Sequence, residues 1–478
     1  MAEEIAADMS ILSQIEHVVV VMLENRSLDN MCGWVYSSSN QPAHVLPAGS
    51  DPSYNGLNSS LWNPSNLGYF NGQAPVQVPV VKGTSSYFIP DPDPEETFDN
   101  VTYQISGPPK ATRQTSMQGF VLNYQYATAA DADQIMQTYS PNQVPVISAL
   151  ATNYAICDAW YCSVPTQTWP NRAFVHAGTS NGNINNGNPP DPLKWDVKTI
   201  FNVLKSISVA WNVYSDAEAA PSLTRTMFPK LWDPFLDGHF QRFTDFQQQC
   251  AKGTLPRYSF VEPNFLSNPN DEHPPHDVSS GEAFLLQVWQ AVSTSPNWNS
   301  TLLIVTYDEH GGCYDHVQPP PGAATPDQAS NPGQESFRFD RFGVRVPTVL
   351  VSPYIQAGTV FRSNTNVPYD HTSILATLRD WLDIGPKDML PSKRIAAAPT
   401  LEQVLTLATP RTSLPTISPL PITPQPTPLS LPPNDLQKSL VAGSARRFGL
   451  DPAEVLGQIQ TRQHALDFFK ARASMAHS

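Results

Sequence analysis

Cysteine is scarce in this chain: five in 478 residues, at Cys32, Cys157, Cys162, Cys250 and Cys313. They are too few and too scattered for a disulfide framework, and no pair has the C-x-x-C spacing of a structural zinc site. Free thiols are expected, with a Cys157–Cys162 bridge as the alternative for an exported chain. Positive charge is also in short supply: 28 Lys and Arg against 42 Asp and Glu leave a net charge of −14. That argues against nucleic acid and against anionic lipid surfaces, both of which need basic surface, while a zwitterionic head group would not be repelled. No apolar run approaches the ~20 residues that span a bilayer. The segment Met1–Ile15 carries Glu3, Glu4 and Asp8 and lacks a basic stretch followed by an apolar one, so it does not read as a secretory signal. A cytoplasmic protein is expected, with leaderless export left open.

Proline, by contrast, is abundant. Forty-eight prolines imply many fixed loops and argue against a helical bundle. Short β-rich apolar runs recur at His17–Leu23, Tyr154–Val164, Ser208–Tyr214, Leu302–Tyr307 and Val346–Val351. Helical patterns lie between them at Val144–Thr152, Val197–Ser206, Gly281–Val292 and Thr372–Leu382. Near-continuous apolar strands alternating with helices predict an α/β fold with a mostly parallel central sheet sandwiched by helices. Ligands of such sheets sit beyond the carboxyl ends of the strands. The expected organisation is a main domain over 1–408, with a loop-rich insertion at about 37–94. A proline-rich strap follows over 409–433, then a short helical tail over 434–478. Leu456, Ile459, Leu466 and Phe469 share one face of that tail, for packing on the domain, on a second copy as a homo-oligomer, or on a partner or membrane.

Three segments hold polar residues directly beyond predicted strands: Glu24-Asn25-Arg26-Ser27, Thr168-Trp169-Pro170-Asn171-Arg172, and Asp308-Glu309-His310-Gly311-Gly312 with Asp315-His316 after it. If the three strands run parallel, Glu24, Asp308 and Glu309 meet at one rim. Three carboxylates there repel one another unless a cation joins them. Oxygen ligands, with the Asn25 amide, suit a hard divalent ion such as Mg, Mn or Ca, with Zn as a further option. Pro170 marks the first turn of a helix, which puts Thr168 at or just before the N-cap. There a threonine simply caps, or it serves as a nucleophile beside N–H groups that receive a phosphate oxygen. Gly178-Thr179-Ser180-Asn181-Gly182 matches the serine-hydrolase pattern G-x-S-x-G, but a helix is predicted before it where that motif needs a strand.

These segments resemble the bacterial phosphoesterase family that unites phosphatidylcholine-type phospholipases C with related acid phosphatases, in the alkaline-phosphatase-like superfamily. Members carry E-N-R-S-F-D, T-x-P-N-R and D-E-x-G-G-x-x-D-H-V-x-P-P in that order. This chain has Glu24 to Asp29, Thr168 to Arg172, and Asp308 through Asp315-His316-Val317 to Pro319-Pro320, with lesser matches at Asp271-Glu272-His273-Pro274-Pro275, Gly281-Glu282 and Asp370-His371-Thr372-Ser373. The resemblance covers residues 15 to 385. It implies that 1–408 is the catalytic domain and that Glu24, Asn25, Thr168, Asp308 and Glu309 hold one divalent metal. It also implies attack by Thr168 through a phospho-threonine intermediate. His273 and His316 would bind the phosphoryl group or protonate the leaving alcohol, Asn171 and Arg172 would shape the loop or contact phosphate, and His371 would cap or brace the Thr372 helix, with a catalytic role as the alternative. The implied activity is phospholipase C-like cleavage of a phosphodiester, with broad acid phosphatase action on monoesters as the alternative and a non-catalytic binding module as a third reading. Trp169 and the aromatic stretch Tyr54–Tyr69 would accommodate a lipid or choline-like group. Two departures stand out: Leu28 replaces the usual Phe, and Glu95 and Glu96 lie where many members carry a phosphate-binding histidine.

Overall fold

The computed structural model describes residues 11–113, 115–127, 131–187, 190–217, 220–420 and 423–475. The expectation about an N-terminal signal therefore rests mostly on residues outside the described ones, as do two positions of the strap and the end of the tail. Nine strands form the central sheet: β1 (His17–Leu23), β2 (His44–Leu46), β3 (Ala155–Cys157), β4 (Trp211–Ser215), β5 (Phe240–Arg242), β6 (Tyr258–Glu262), β7 (Thr301–Tyr307), β8 (Thr348–Val351) and β9 (Thr359–Phe361). Their order is β5-β4-β6-β1-β7-β8-β3-β9-β2. Every neighbouring pair is parallel except those made by β8, which runs antiparallel to both β7 and β3.

The β-branched run Val18–Val21 suits the centre of such a sheet, since it packs on both faces of the pleat. All of Val18–Leu23 is buried, so both faces of β1 are covered. Helices supply the cover. Pro145–Asn153 packs on Val278–Ser293, and Thr168–Ala177 on Thr372–Trp381. The Glu282 carboxylate fastens the first pair by accepting from Val146 N (2.5 Å) and Ile147 N (3.1 Å), two of the orphan donors of a helix start.

Several expectations need correction. The apolar run Tyr154–Val164 is not one strand. It breaks at Asp158, whose carboxylate is held by Arg362 (2.8 and 2.7 Å), and resumes at Trp160–Tyr161 in a separate two-stranded sheet with Tyr369–Asp370. The run at Val346–Val351 is antiparallel. The connection from β7 contains no crossover helix among its residues 308–347, and a parallel return needs one. The insertion at 37–94 supplies the edge strand β2, paired to β9, and both arms of a small antiparallel pair, Trp62–Pro64 against Gln77–Pro79. The tail pattern of Leu456 to Phe469 is split between two helices, Pro452–Gln458 and Arg462–Met475.

The described part of the strap 409–433 holds no helix or strand. It leaves the body near Pro353 and Asn153, where Arg411 donates to both carbonyls, and Gln425 N then donates to Asp277 Oδ2 (2.9 Å). It delivers the helix Asp435–Arg447, whose Leu436, Leu440 and Val441 join the main core. Gly443 permits this approach, because a Cβ there would lie 2.5 Å from Thr226 Cγ2 and 3.2 Å from Trp169 Cη2.

Candidate active site

β1 and β7 are parallel neighbours in register, with Leu23 opposite Tyr307, so the residues after them leave the sheet side by side. Glu24 follows β1, and Asp308 and Glu309 follow β7. Asp308 N donates to Leu23 O (3.2 Å), and Asn25 N donates to Asp308 Oδ1 (3.0 Å). Asn25 takes a left-handed φ of 54°, a conformation that asparagine tolerates. Gly311 is required opposite it: its φ is +59°, and a Cβ would sit 2.2 Å from Asn25 O.

The third segment arrives from β3. Gln167 is the N-cap of Thr168–Ala177, so Thr168 is the first residue inside the helix and not its cap. The Thr168 hydroxyl lies 3.4 Å from Glu24 Oε2. Asn171 makes no contact with the carboxylates. Its amide accepts from Val164 N (3.0 Å) and donates to Val164 O (3.1 Å), Thr166 O (2.8 Å) and Gln167 O (3.2 Å), tying down the loop that presents Thr168. Arg172, one helical turn on, donates through Nε to Glu24 Oε1 (2.7 Å) and through Nη2 to the same oxygen, with Asp308 Oδ2 3.8 Å from its Nε.

Glu24, Asp308, Glu309 and Arg172 are fully buried, and Thr168 is 1 % exposed. Burial pushes the Glu24 carboxyl well above its ordinary range, with Arg172 pulling it back and Asp308 adding to the rise. Burial and the Asp308 charge do the same to Glu309. Among the described residues, Asn25 Oδ1, Asp308 Oδ2 and Glu309 Oε1 have no hydrogen-bond partner. Buried acceptors without donors cost free energy and call for a ligand. Oxygens of one amide and three carboxylates beside a hydroxyl are the donor set of a hard cation, so these residues fit the divalent metal expected of them.

His273 Nε2 lies 3.1 Å from Asn25 Nδ2, and its Nδ1 lies 2.7 Å from Pro274 O. With the amide as donor, Nε2 accepts and Nδ1 carries the proton, which turns Asn25 Oδ1 towards the carboxylates. Burial lowers the His273 pKa to about 4, so the ring is neutral at pH 7. His371 braces the same loop, not its own helix: Nε2 bonds Asp308 O (2.6 Å), and Nδ1 accepts from Trp160 Nε1 (3.3 Å).

The structure does not bring His316 into this group. After Gly312 the chain turns away, and His316 Nδ1 bonds Asp29 Oδ2 (2.5 Å) while Nε2 bonds Asn55 Oδ1 (3.1 Å). Asp29, Asp315 and His316 bring ligand-type atoms within 4.8 Å of one another, which is metal-like spacing. Buried Arg345 already supplies the cation there, 3.0 Å from both Asp29 Oδ1 and Asp315 Oδ1. This second cluster is a closed ion-pair network that pins two loops together. Ser180 of the G-x-S-x-G match follows a helix that ends at Gly178 and donates to Asn183 O (2.6 Å), so no strand presents it. Trp169 is buried against Trp195 and is closed to any head group, while Tyr69 packs edge-on to Trp62 and under Arg113.

Three further residues neighbour the site; Asp93 and Asn434 were not singled out from the sequence, and Glu96 was noted there only as a departure from the family pattern. Asp93 Oδ2 lies 3.7 Å from His273 Nδ1, Glu96 is buried near Glu309, and Asn434 Nδ2 comes within 3.5 Å of His273 Nδ1. Asn434 had a readable local signal, the capping box it makes with Gln437, but nothing local showed where that helix would dock.

Known proteins share sequence with this chain over most of its length. Non-specific phospholipase C6 of Arabidopsis thaliana is 35% identical over 417 residues, covering 84% of this chain and 74% of the relative. Non-specific phospholipase C4 of the same plant is 36% identical over 417 residues, covering 84% and 73%. Phospholipase C A of Mycobacterium tuberculosis is 28% identical over 404 residues, covering 77% and 73%. Among solved structures, the phosphonate monoester hydrolase of Agrobacterium radiobacter aligns at 14% identity over 55% of this chain and 72% of that one, with a TM-score of 0.31. The model of the Phosphoesterase family matches residues 15–385, which span all three polar segments, and the chain belongs to that family of ester-bond hydrolases.

Proposed function

We propose that the chain is a cation-dependent phosphoester hydrolase of phospholipase C type, acting on a phosphodiester with Thr168 as nucleophile. One observation carries this reading: the buried Thr168 hydroxyl shares a site with Glu24 and with the unpartnered oxygens of Asn25, Asp308 and Glu309. Glu24, Asn25, Thr168, Asp308 and Glu309 would hold a divalent cation, which would supply charge favouring the threonine alkoxide and the developing phosphoryl charge. The names of the relatives support a lipid phosphodiester over a monoester.

Glu24 Oε2 accepts the hydroxyl hydrogen bond and is the atom placed to take its proton as Thr168 Oγ1 attacks phosphorus. The Oγ1–P bond forms, the bond from phosphorus to the alcohol breaks, and the alcohol leaves with a proton. Water then attacks the phospho-threonine, breaks the Oγ1–P bond and releases a phosphomonoester. Arg172 holds Glu24, Asn171 fixes the loop ahead of Thr168, and neutral His273 aims the Asn25 amide. These three position the reacting groups.

The test compares wild type with Thr168→Ala on p-nitrophenyl phosphorylcholine and p-nitrophenyl phosphate. Each is assayed after chelation and with Ca, Mg, Mn or Zn restored. Metal-restored turnover that falls at least 10³-fold in Thr168→Ala is expected, with preference for the diester. Full activity in Thr168→Ala would overturn the nucleophile, and activity untouched by chelation would overturn the cation.

A further inference from the structure

Resting on that reading, we propose that Glu96, flanked by Asp93, is a receptor for the positively charged head group of a zwitterionic phosphodiester. Glu96 stands just before the helix Phe98–Ser106 and is 6 % exposed. Among the described residues its carboxylate has no hydrogen bond and no ion pair. The charges that act on it most, Glu309, Asp435, Glu95 and Asp308, are all carboxylates. Asp93 repeats the pattern. Its Oδ1 is buried without a partner among the described residues, and its Oδ2 lies 3.7 Å from His273 Nδ1.

The cations nearby are engaged elsewhere. Arg172 is held by Glu24. Arg26 places its charge near Asp93 while donating to Glu272 O (2.7 Å) and Ile89 O (2.8 Å), and it is not among the charges that act most on Glu96. Lys438 pairs with Asp435 (3.1 Å) on the solvent side. One divalent ion bound by the catalytic carboxylates would still leave Glu96 uncompensated.

A cavity of about 440 Å³ is lined by Thr97, Gln167, Asn186, Gln334, Asp435 and Lys438. Thr97 follows Glu96 directly and Gln167 precedes Thr168 directly, so the wall of this cavity carries the chain neighbours of both the carboxylate and the nucleophile. A monoester dianion entering there meets like charge, which costs several kcal/mol in a desolvated site. A phosphodiester with an ammonium group brings its own countercharge. With Trp169 closed off, a carboxylate and not an aromatic face must meet the ammonium.

The experiment measures kcat/KM of wild type and Glu96→Gln on p-nitrophenyl phosphorylcholine and on methyl p-nitrophenyl phosphate, a diester with no positive group. The ratio of the first to the second is expected to fall at least tenfold in Glu96→Gln. Tetramethylammonium is expected to inhibit wild type competitively and the variant at least tenfold less well. The variant should melt no lower than wild type, since it loses an unpaired buried charge. An unchanged ratio overturns the proposal. So does a fall in bound divalent metal per chain in Glu96→Gln, measured by mass spectrometry after desalting, which would make Glu96 a metal ligand. Inactivity of wild type on both diesters, or full activity of Thr168→Ala, would instead sink the catalytic reading itself.

Discussion

Replacing Arg172 by alanine tests the electrostatic logic of the site. In the native chain its guanidinium bonds Glu24 Oε1 through two nitrogens and lies 3.8 Å from Asp308 Oδ2, and all three side chains are fully buried. Removing one partner of a buried ion pair costs about 3–5 kcal/mol, because the remaining charge has no compensation. At about 2.1 cal/mol/K of unfolding entropy per residue, a chain of 478 residues carries roughly 1 kcal/mol/K. The expected drop in Tm is therefore about 3–5 °C in the presence of a chelator. A divalent cation supplies countercharge to the same carboxylates, so saturating metal should close at least half of the gap to wild type. Thermal melts followed by circular dichroism, with and without metal, read both effects. In the double variant Glu24→Gln/Arg172→Ala the loss should be smaller than the sum of the two single losses, as expected of directly coupled groups. A single variant that melts with wild type in chelator, or strictly additive losses, would refute the reasoning.

Two further predictions follow from particular side chains. Burial, with the Glu272 charge, raises the Glu282 carboxyl to about 8 from an ordinary value of 4.5. A raised folded-state pKa gives stability that is complete below pH 4.5 and lost as pH rises to 8, and the 3.5-unit difference corresponds to at most about 5 kcal/mol. Glu282→Gln should flatten the dependence of Tm on pH across that window, and parallel curves for the two proteins would contradict it. Ser180→Ala should keep kcat within about twofold and lose about 1 kcal/mol with its bond to Asn183 O, whereas loss of turnover would return the serine-hydrolase reading.

Much of the site was legible before the structure because its residues directly follow strong signals. Glu24 sits after a run of four valines and Asp308 after an equally apolar run, so strand ends and polar residues coincide. Thr168 was read from Pro170 in the same way, though the helix begins one residue earlier than a capping threonine would imply. His316 misled for the opposite reason. Its neighbours in sequence lie at the site, but a turn of a few residues carried it to Asp29 and Arg345. The direction of β8 was hidden as well, since its apolar pattern is the same in parallel and antiparallel pairing.

The sequence by itself determined the alternation of apolar runs and helices, the three polar segments and the acidic balance that calls for cations. These depend on local periodicity and composition, which act within a few residues. Tertiary structure alone decided which carboxylates are compensated. Arg345 neutralises Asp29 and Asp315, Arg172 neutralises Glu24, and Glu96 is left without a countercharge. The strap that swings Asn434 onto His273 is equally unreadable locally. Coulomb energy and desolvation depend on distances across the folded molecule, between residues as far apart in sequence as Asn434 and Asp93, and those distances exist only once the chain has packed.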